Sequence, residues 1–292
     1  MSNDFSIARA IVEAAQILRQ AGVPEARREA ASLLEHITGH DRTFLTTHAE
    51  TALKLSDVRR LRELVERRAA GEPLQYIKGY QEFYGLDFEV TPDVLIPRPE
   101  TELLVEKALE LLDKMAQPAR ICDVGTGSGC IPITILHERP TAQAVASDIS
   151  LPALRVAAHN AARHNVRERL DLVASDCFSA LDSQQARFSM IVSNPPYITE
   201  DALAGLQREV RDHEPRVALT PGGDGLRIIR NLVLDAPRFL DSGGYLLMEI
   251  GFDQHEAVRE LLDSDVWELS DIHKDLQGIP RTVALKKIQD VA

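Results

Sequence analysis

Two hydrophobic rhythms divide the chain. Over residues 6–70, apolar positions recur at three- and four-residue spacing, the period of a helix with one buried face. Ile7, Ala10, Ile11, Ala14, Ala15, Ile17 and Leu18 share a face, and Gly22 followed by Pro24 predicts the stop. A second helix is expected from about Pro24 to Ile37, ending at Gly39. A third is expected from Ser56 to about Ala70, with Val58, Leu61, Leu64 and Val65 turned inward. From Tyr76 to Pro97 the pattern becomes aromatic and β-branched (Tyr76, Ile77, Tyr80, Phe83, Tyr84, Phe88, Val90), broken by Gly79 and Gly85, and reads as an extended ribbon or hairpin. Beyond Glu100 short apolar runs alternate with amphipathic segments. Strands are predicted at Arg120–Val124, Ala142–Ser147, Leu170–Ala174, Phe188–Ser193, Gly244–Ile250 and Thr282–Lys286, with helices around 101–114, 129–138, 151–164, 225–239 and 254–263. Such alternation predicts an open parallel α/β sheet. The expected organisation is a small all-helical domain over residues 1–74, an extended or hairpin linker over 75–98, and an α/β domain over 99–292.

Composition narrows the class without changing that picture. The 292 residues suit roughly two domains, and 44% hydrophobic with 27% charged residues is ordinary globular composition, which excludes disordered and fibrous classes. No stretch approaches the ~18 apolar residues of a membrane span, and the opening residues, with Asp4, Arg9 and Glu13, lack the apolar core of an export signal. A cytoplasmic protein is expected. Cys122, Cys130 and Cys177 form no CxxC pair and read as free thiols, the first two as small apolar groups. The net charge of -12 is uneven: residues 1–85 hold 12 basic and 12 acidic side chains, the remainder 21 and 33. A duplex-DNA binder needs Lys and Arg against phosphate, so no stable nucleic-acid partner is expected. Arg59, Arg60, Arg62, Arg67 and Arg68 are interleaved with Asp57, Glu63 and Glu66 and read as a solvated helix face. The nine histidines show no HExxH spacing, and His159 and His164 do not share a helix face, so no metal is expected.

The candidate chemistry lies at the ends of the predicted strands. The first runs into Asp123-Val-Gly125-Thr126-Gly127-Ser128-Gly129 before a helix, so a ligand can approach the helix start closely. The spacing is GxGxG; Cys130 stands where the third glycine of the dinucleotide fingerprint would be, and no P-loop pattern is present. Asp148 ends the next strand, where a carboxylate can take both hydroxyls of a ribose, and Asp176 follows the third. Carboxyl ends of adjacent parallel strands share one crevice. S-adenosylmethionine, a nucleoside without phosphate that carries an ammonium and a sulfonium, suits an acid-lined glycine crevice better than a pyrophosphate does. The competing reading makes the glycines a tight turn and Asp148 a helix cap.

The fourth strand ends in Asn194-Pro195-Pro196-Tyr197. Asn194 offers a side-chain carbonyl, and Pro195 a backbone carbonyl with no N–H, so both are acceptors. Two acceptors facing a planar NH2 group can hold both hydrogens and turn the lone pair towards an electrophile, while Tyr197 supplies a flat wall. Positive charge building on that nitrogen is stabilised by fixed acceptors, and no strong general base is needed. The competing reading is a proline-rich loop after a strand.

With both motifs in place the chain resembles the release factor glutamine methyltransferases (the PrmC/HemK family). The likeness spans roughly residues 70–285. It includes Pro73-Leu-Gln-Tyr-Ile77, Phe83-Tyr-Gly-Leu86, Leu95-Ile-Pro-Arg-Pro-Glu-Thr101, Asp123–Ile131, Asn194–Ile198, Glu214-Pro215, Gly222-Gly-Asp-Gly-Leu226, and Glu249-Ile-Gly251 with Gln254. The resemblance implies a Rossmann-like class I methyltransferase domain behind a helical substrate-recognition domain and a β-hairpin linker. It implies methyl transfer from S-adenosyl-L-methionine to the side-chain amide of the glutamine in the GGQ motif of class I peptide chain release factors. By position, Gly125, Thr126, Gly127, Ser128, Gly129 and Asp148 would hold the cofactor, with Cys177 near the adenine, where some relatives carry a tryptophan. Asn194 would touch cofactor and substrate, and Asn194, Pro195, Pro196 and Tyr197 would grip the glutamine. The alternative is a nucleic-acid amino-methyltransferase acting on adenine N6 or guanine N2, since a planar NH2 is common to all three.

Overall fold

The computed structural model describes residues 5–115 and 118–288, so the outermost residues of the first and last expected domains lie outside them. The chain divides into two compact units. One comprises the residues up to Gly79 together with Gln207–His213, and the other comprises Tyr80–Leu206 and the chain from Glu214 onward.

In the first unit, helices Ile7–Gln20, Ala26–Thr38 and Leu55–Ala69 stand where the periodicity puts them. Ser6 caps the first of these, its hydroxyl accepting from the Arg9 N–H. Ile7, Ala14, Leu18, Leu33, Leu34, Leu61, Leu64 and Val65 close into one apolar core, whereas Ile17 lies on the solvent side. Helices Arg42–Thr47 and Leu74–Lys78 are too short to show a period. The second of them occupies the start of the segment read as extended. Its Leu74 and Ile77, three apart, both reach the helical core. A further helix, Arg208–His213, joins this unit from far along the chain. Arg68, with its side chain 6% exposed, binds Glu29 at 2.5 Å and Glu209 on that helix at 2.6 Å. Arg68 is therefore an internal clamp and not part of a solvated face.

The second unit opens with a two-stranded antiparallel ribbon, β1 (Tyr80–Phe83) and β2 (Leu86–Glu89). Seven further strands follow: β3 (Arg120–Val124), β4 (Gln143–Asp148), β5 (Leu170–Ala174), β6 (Phe188–Ser193), β7 (Leu240–Glu249), β8 (Trp267–Lys274) and β9 (Pro280–Lys287). They form one sheet in the order β5-β4-β3-β6-β7-β9-β8. β5 through β7 are parallel, as expected, but β9 runs antiparallel to both β7 and β8. The turn Asp275–Ile279 is too short for a crossover, so β8 and β9 pair as a hairpin. β8 escapes sequence reading because a register shift between Leu269 and Asp271 breaks its alternation.

Alternate residues of the central strands feed two cores, as the two-residue period of a strand requires. Ile121, Ala144, Met190, Val192 and Leu247 pack on one face with helices Thr101–Leu112 and Cys130–Glu138 and with Phe83 and Phe88 of the ribbon. Cys122, Val145, Ile191, Leu246 and Met248 pack on the other face with helix Arg227–Asp235 and with Trp267, whose indole N–H donates to the Val233 carbonyl. The strand order turns back on itself at β3, placing the ends of β3, β4, β5 and β6 side by side. No helix among the described residues is long and apolar enough to cross a membrane.

Arg68→Ala leaves Glu29 without its buried cation, and unfolding in urea is expected to show a loss of about 2 kcal/mol in the helical unit. Unchanged stability contradicts the clamp.

Candidate active site

One open cavity lies over the carboxyl ends of β3 to β6. Gly125, Thr126, Gly127, Ser128, Asp148, Cys177, Asn194, Pro195 and Pro196 all line it. The sequence motifs are thus brought to one place. The structure adds Ile149 and Ile228 to the walls and gives Arg98 and Thr101, of the Leu95–Thr101 segment, a place there. Ile149 is 59% exposed although it is large and apolar, which fits a surface that a flat ligand covers.

Asp148 is held by backbone N–H groups, while Ser150 caps the helix that follows. One carboxylate oxygen accepts the Gly127 N–H at 2.8 Å and the other accepts the Ser150 N–H at 2.8 Å. It therefore braces the glycine loop and the start of helix Leu151–Arg163, and each oxygen keeps a lone pair for a ligand hydroxyl. Burial raises its pKa despite these bonds. Asp123 is fully buried beside the loop and neither oxygen has a hydrogen-bond partner. Burial, reinforced by the charge of Asp148, pushes its carboxyl up to about 7. Cys177 sits in the left-handed region (φ 48°), half-buried, and its thiol is pushed up to about 11 by burial and by Asp176, so it offers a neutral apolar contact.

Asn194 is held from behind. Its Nδ2 donates to the Thr101 hydroxyl at 2.9 Å, and that hydroxyl donates to Glu249 Oε2 at 2.7 Å. The Tyr197 hydroxyl donates to Glu249 Oε1 at 3.2 Å. Glu249 ends β7 and is 2% exposed. Since Nδ2 is engaged, Oδ1 is the end of the amide left for a ligand.

Two residues expected to touch ligand have other contacts. Tyr197 does not line the cavity; its ring packs against the core that holds Trp267, its hydroxyl is held by Glu249 and its carbonyl accepts from Gln254 Nε2 at 3.0 Å. Gly129 lies behind the loop at φ 81°, where an added Cβ would come within 2.7 Å of Ile133 Cδ1 and 3.2 Å of Ala157 Cβ, so close packing demands glycine there.

Comparison with known proteins carries the fold reading further. Residues 9–79 match the family model described as PrmC N-terminal domain, and residues 100–274 match that described as Methyltransferase small domain. The Release factor glutamine methyltransferase of Nitratidesulfovibrio vulgaris is 43% identical over 94% of this chain and 92% of its own length. That of Cereibacter sphaeroides is 44% identical over 92% and 94%. The chain belongs to the release factor glutamine methyltransferases. Solved structures support the methyltransferase fold at greater distance. A methyltransferase from Pyrococcus furiosus matches with a TM-score of 0.52 at 16% identity, covering 79% of this chain and 98% of the other. The hMettl16 catalytic domain matches with a TM-score of 0.57 at 16% identity, covering 89% of each.

Segments that looked like separate family signatures prove to be one interlocked unit in this methyltransferase. Glu214 is buried and receives the Ile96 N–H at 3.3 Å and Arg98 Nη2 at 2.5 Å, joining two of them. Thr101 ties in two more, accepting from Asn194 Nδ2 and donating to Glu249. Gly225, at φ 78°, lies so close beneath the loop that an added Cβ would stand 2.2 Å from the Tyr197 carbonyl oxygen. Gly225→Ala therefore combines an unfavourable φ with a backbone clash. It is expected to lower stability by about 2 kcal/mol or more and to displace the Asn194–Tyr197 loop. Thermal unfolding checks this, and a wild-type midpoint contradicts it.

Proposed function

We propose that this enzyme transfers a methyl group from S-adenosyl-L-methionine to the side-chain amide N5 of the glutamine in the GGQ motif of class I peptide chain release factors. The observation that carries the reading is the acceptor end of Asn194, left for a ligand in the same cavity as the glycine loop and Asp148.

The residues present fit S-adenosylmethionine. Asp148 can take ribose hydroxyls without giving up its bonds to the loop. Ile149, Ile228 and Cys177 offer apolar contact to an adenine. Arg98, also on the wall, is already bound to Glu214. The bound cofactor supplies an electrophilic methyl on sulfonium.

What the chain does is hold the nucleophile. Asn194 Oδ1 and the Pro195 carbonyl would each accept one hydrogen of the glutamine NH2, which fixes the plane of the amide and turns the nitrogen towards the methyl. As the C–N bond forms, positive charge grows on nitrogen and its hydrogens become better donors, so the two acceptors bind the transition state more tightly than the ground state. The released proton leaves from an already acidified nitrogen. Tyr197, with its hydroxyl on Glu249 and its carbonyl on Gln254, acts by keeping the loop in place.

The test is methyl transfer from labelled S-adenosylmethionine, offered in turn a class I release factor, its GGQ-to-GGA variant, duplex DNA and bulk RNA. Label is expected on the intact factor alone; label on nucleic acid would make the enzyme an amino-methyltransferase of bases. Asn194→Ala is expected to lower turnover by roughly a hundredfold or more while cofactor binding is largely kept. Equal loss of both contradicts its role on the substrate. Asp148→Ala is expected to weaken cofactor binding by about 1–3 kcal/mol in calorimetry, and unchanged affinity removes Asp148 from the site.

A further inference from the structure

The orientation of the Asn194 amide matters more than its presence. An asparagine side chain has an acceptor end and a donor end of nearly the same shape, and rotation by half a turn exchanges them. A donor facing the cavity would repel the NH2 of a glutamine. Nothing in Asn194 itself selects one end; the selection must come from what lies behind it.

We propose that Glu249, acting through Thr101, is a positioning residue that sets which end of the Asn194 amide faces the substrate. The proposal rests on the reading of Asn194 as an acceptor for the glutamine amide. Glu249 is buried at the end of β7, and each carboxylate oxygen accepts one hydroxyl, from Thr101 at 2.7 Å and from Tyr197 at 3.2 Å. A hydroxyl has one hydrogen. Once Thr101 gives its hydrogen to Glu249, its oxygen can only accept, and the neighbour 2.9 Å away must donate. That neighbour is the Asn194 side chain, so its NH2 faces Thr101 and its carbonyl faces the cavity. The polarity of the chain is imposed from the carboxylate outward. Thr101 is 2% exposed, so its hydroxyl is largely shielded from water.

Retaining a carboxylate at such a place is costly unless it has a task. Burial raises its pKa, and the Thr101 and Tyr197 hydroxyls and the charge of Arg281 only partly offset that. Its hydrogen-bond partners come from two separated segments, the start of helix Thr101–Leu112 and the loop after β6, and it stands on a third, β7. The sequence signals were present in the Leu95–Thr101 and Glu249–Gly251 segments, but no spacing rule couples positions 148 residues apart.

The test compares Thr101→Val, Thr101→Ser and Glu249→Gln in the full-length enzyme. Steady-state methylation of a release factor is measured beside calorimetric binding of S-adenosylhomocysteine. Thr101→Val keeps the shape and removes the hydroxyl; turnover is expected to fall by up to roughly a hundredfold, with cofactor-product affinity within about twofold of wild type. Glu249→Gln replaces one of two acceptors with a donor and is expected to act in the same direction. Thr101→Ser retains the hydroxyl and is expected to restore most of the turnover. Wild-type turnover in Thr101→Val or Glu249→Gln overturns the proposal, as does parallel loss of binding and turnover, or a loss that Thr101→Ser does not repair. If the wild-type enzyme itself transfers no methyl to the factor, the reading of the reaction fails instead.

Discussion

A buried carboxylate with two hydroxyls on it is the constraint around which the site is built. Glu249 joins the end of β7 to the first turn of helix Thr101–Leu112 and to the loop that follows β6. Remove that junction and Asn194 has no reason to present one end of its amide over the other, while Tyr197 loses the anchor of its ring. The neighbouring contacts reinforce the same loop. Gln254 binds the Tyr197 carbonyl, Gly225 lies directly beneath it, and the Ile198 and Glu200 N–H groups donate to the carbonyls of Leu219 and Gly223. A reaction that depends on presenting a weak nucleophile in one pose needs rigidity at this place above all.

The cofactor half of the cavity follows from topology. Parallel strands that turn back at β3 bring four carboxyl ends together, and the Gly125–Gly129 turn leaves room for a ligand beside the start of helix Cys130–Glu138. Asp148 braces Gly127 and Ser150, and each of its oxygens keeps a lone pair.

Local patterns were legible in the sequence, and relations between distant segments were not. The three long helices of the first unit and six strands of the sheet announce themselves by their periods. β8 does not, because a bulge breaks its alternation; nor do helices Arg42–Thr47, Leu74–Lys78 and Arg208–His213, which are too short to show a period. Arg68 looked like part of a charged surface because its partners Glu29 and Glu209 lie far from it in sequence. The glycine loop, Asp148 and Asn194 were visible because strand ends converge by rule. Thr101 and Glu249 were visible as signatures without a role, since a hydrogen-bond chain across 148 positions leaves no periodic trace. Tyr197 shows the reverse: an aromatic side chain beside the reacting group suggests a wall, yet its hydroxyl needs a partner, and Glu249 supplies one away from the cavity.

The central claim is that a glutamine amide is held by its hydrogens on the acceptor end of Asn194. The most direct measurement is a crystal structure of this enzyme with S-adenosylhomocysteine and the GGQ-bearing domain of a release factor. The account predicts the glutamine side-chain nitrogen within hydrogen-bond distance, about 2.7–3.2 Å, of both Asn194 Oδ1 and the Pro195 carbonyl, with Asn194 Nδ2 still on Thr101. A glutamine whose nitrogen lies away from Asn194, or an Asn194 that turns its NH2 to the substrate, would contradict it.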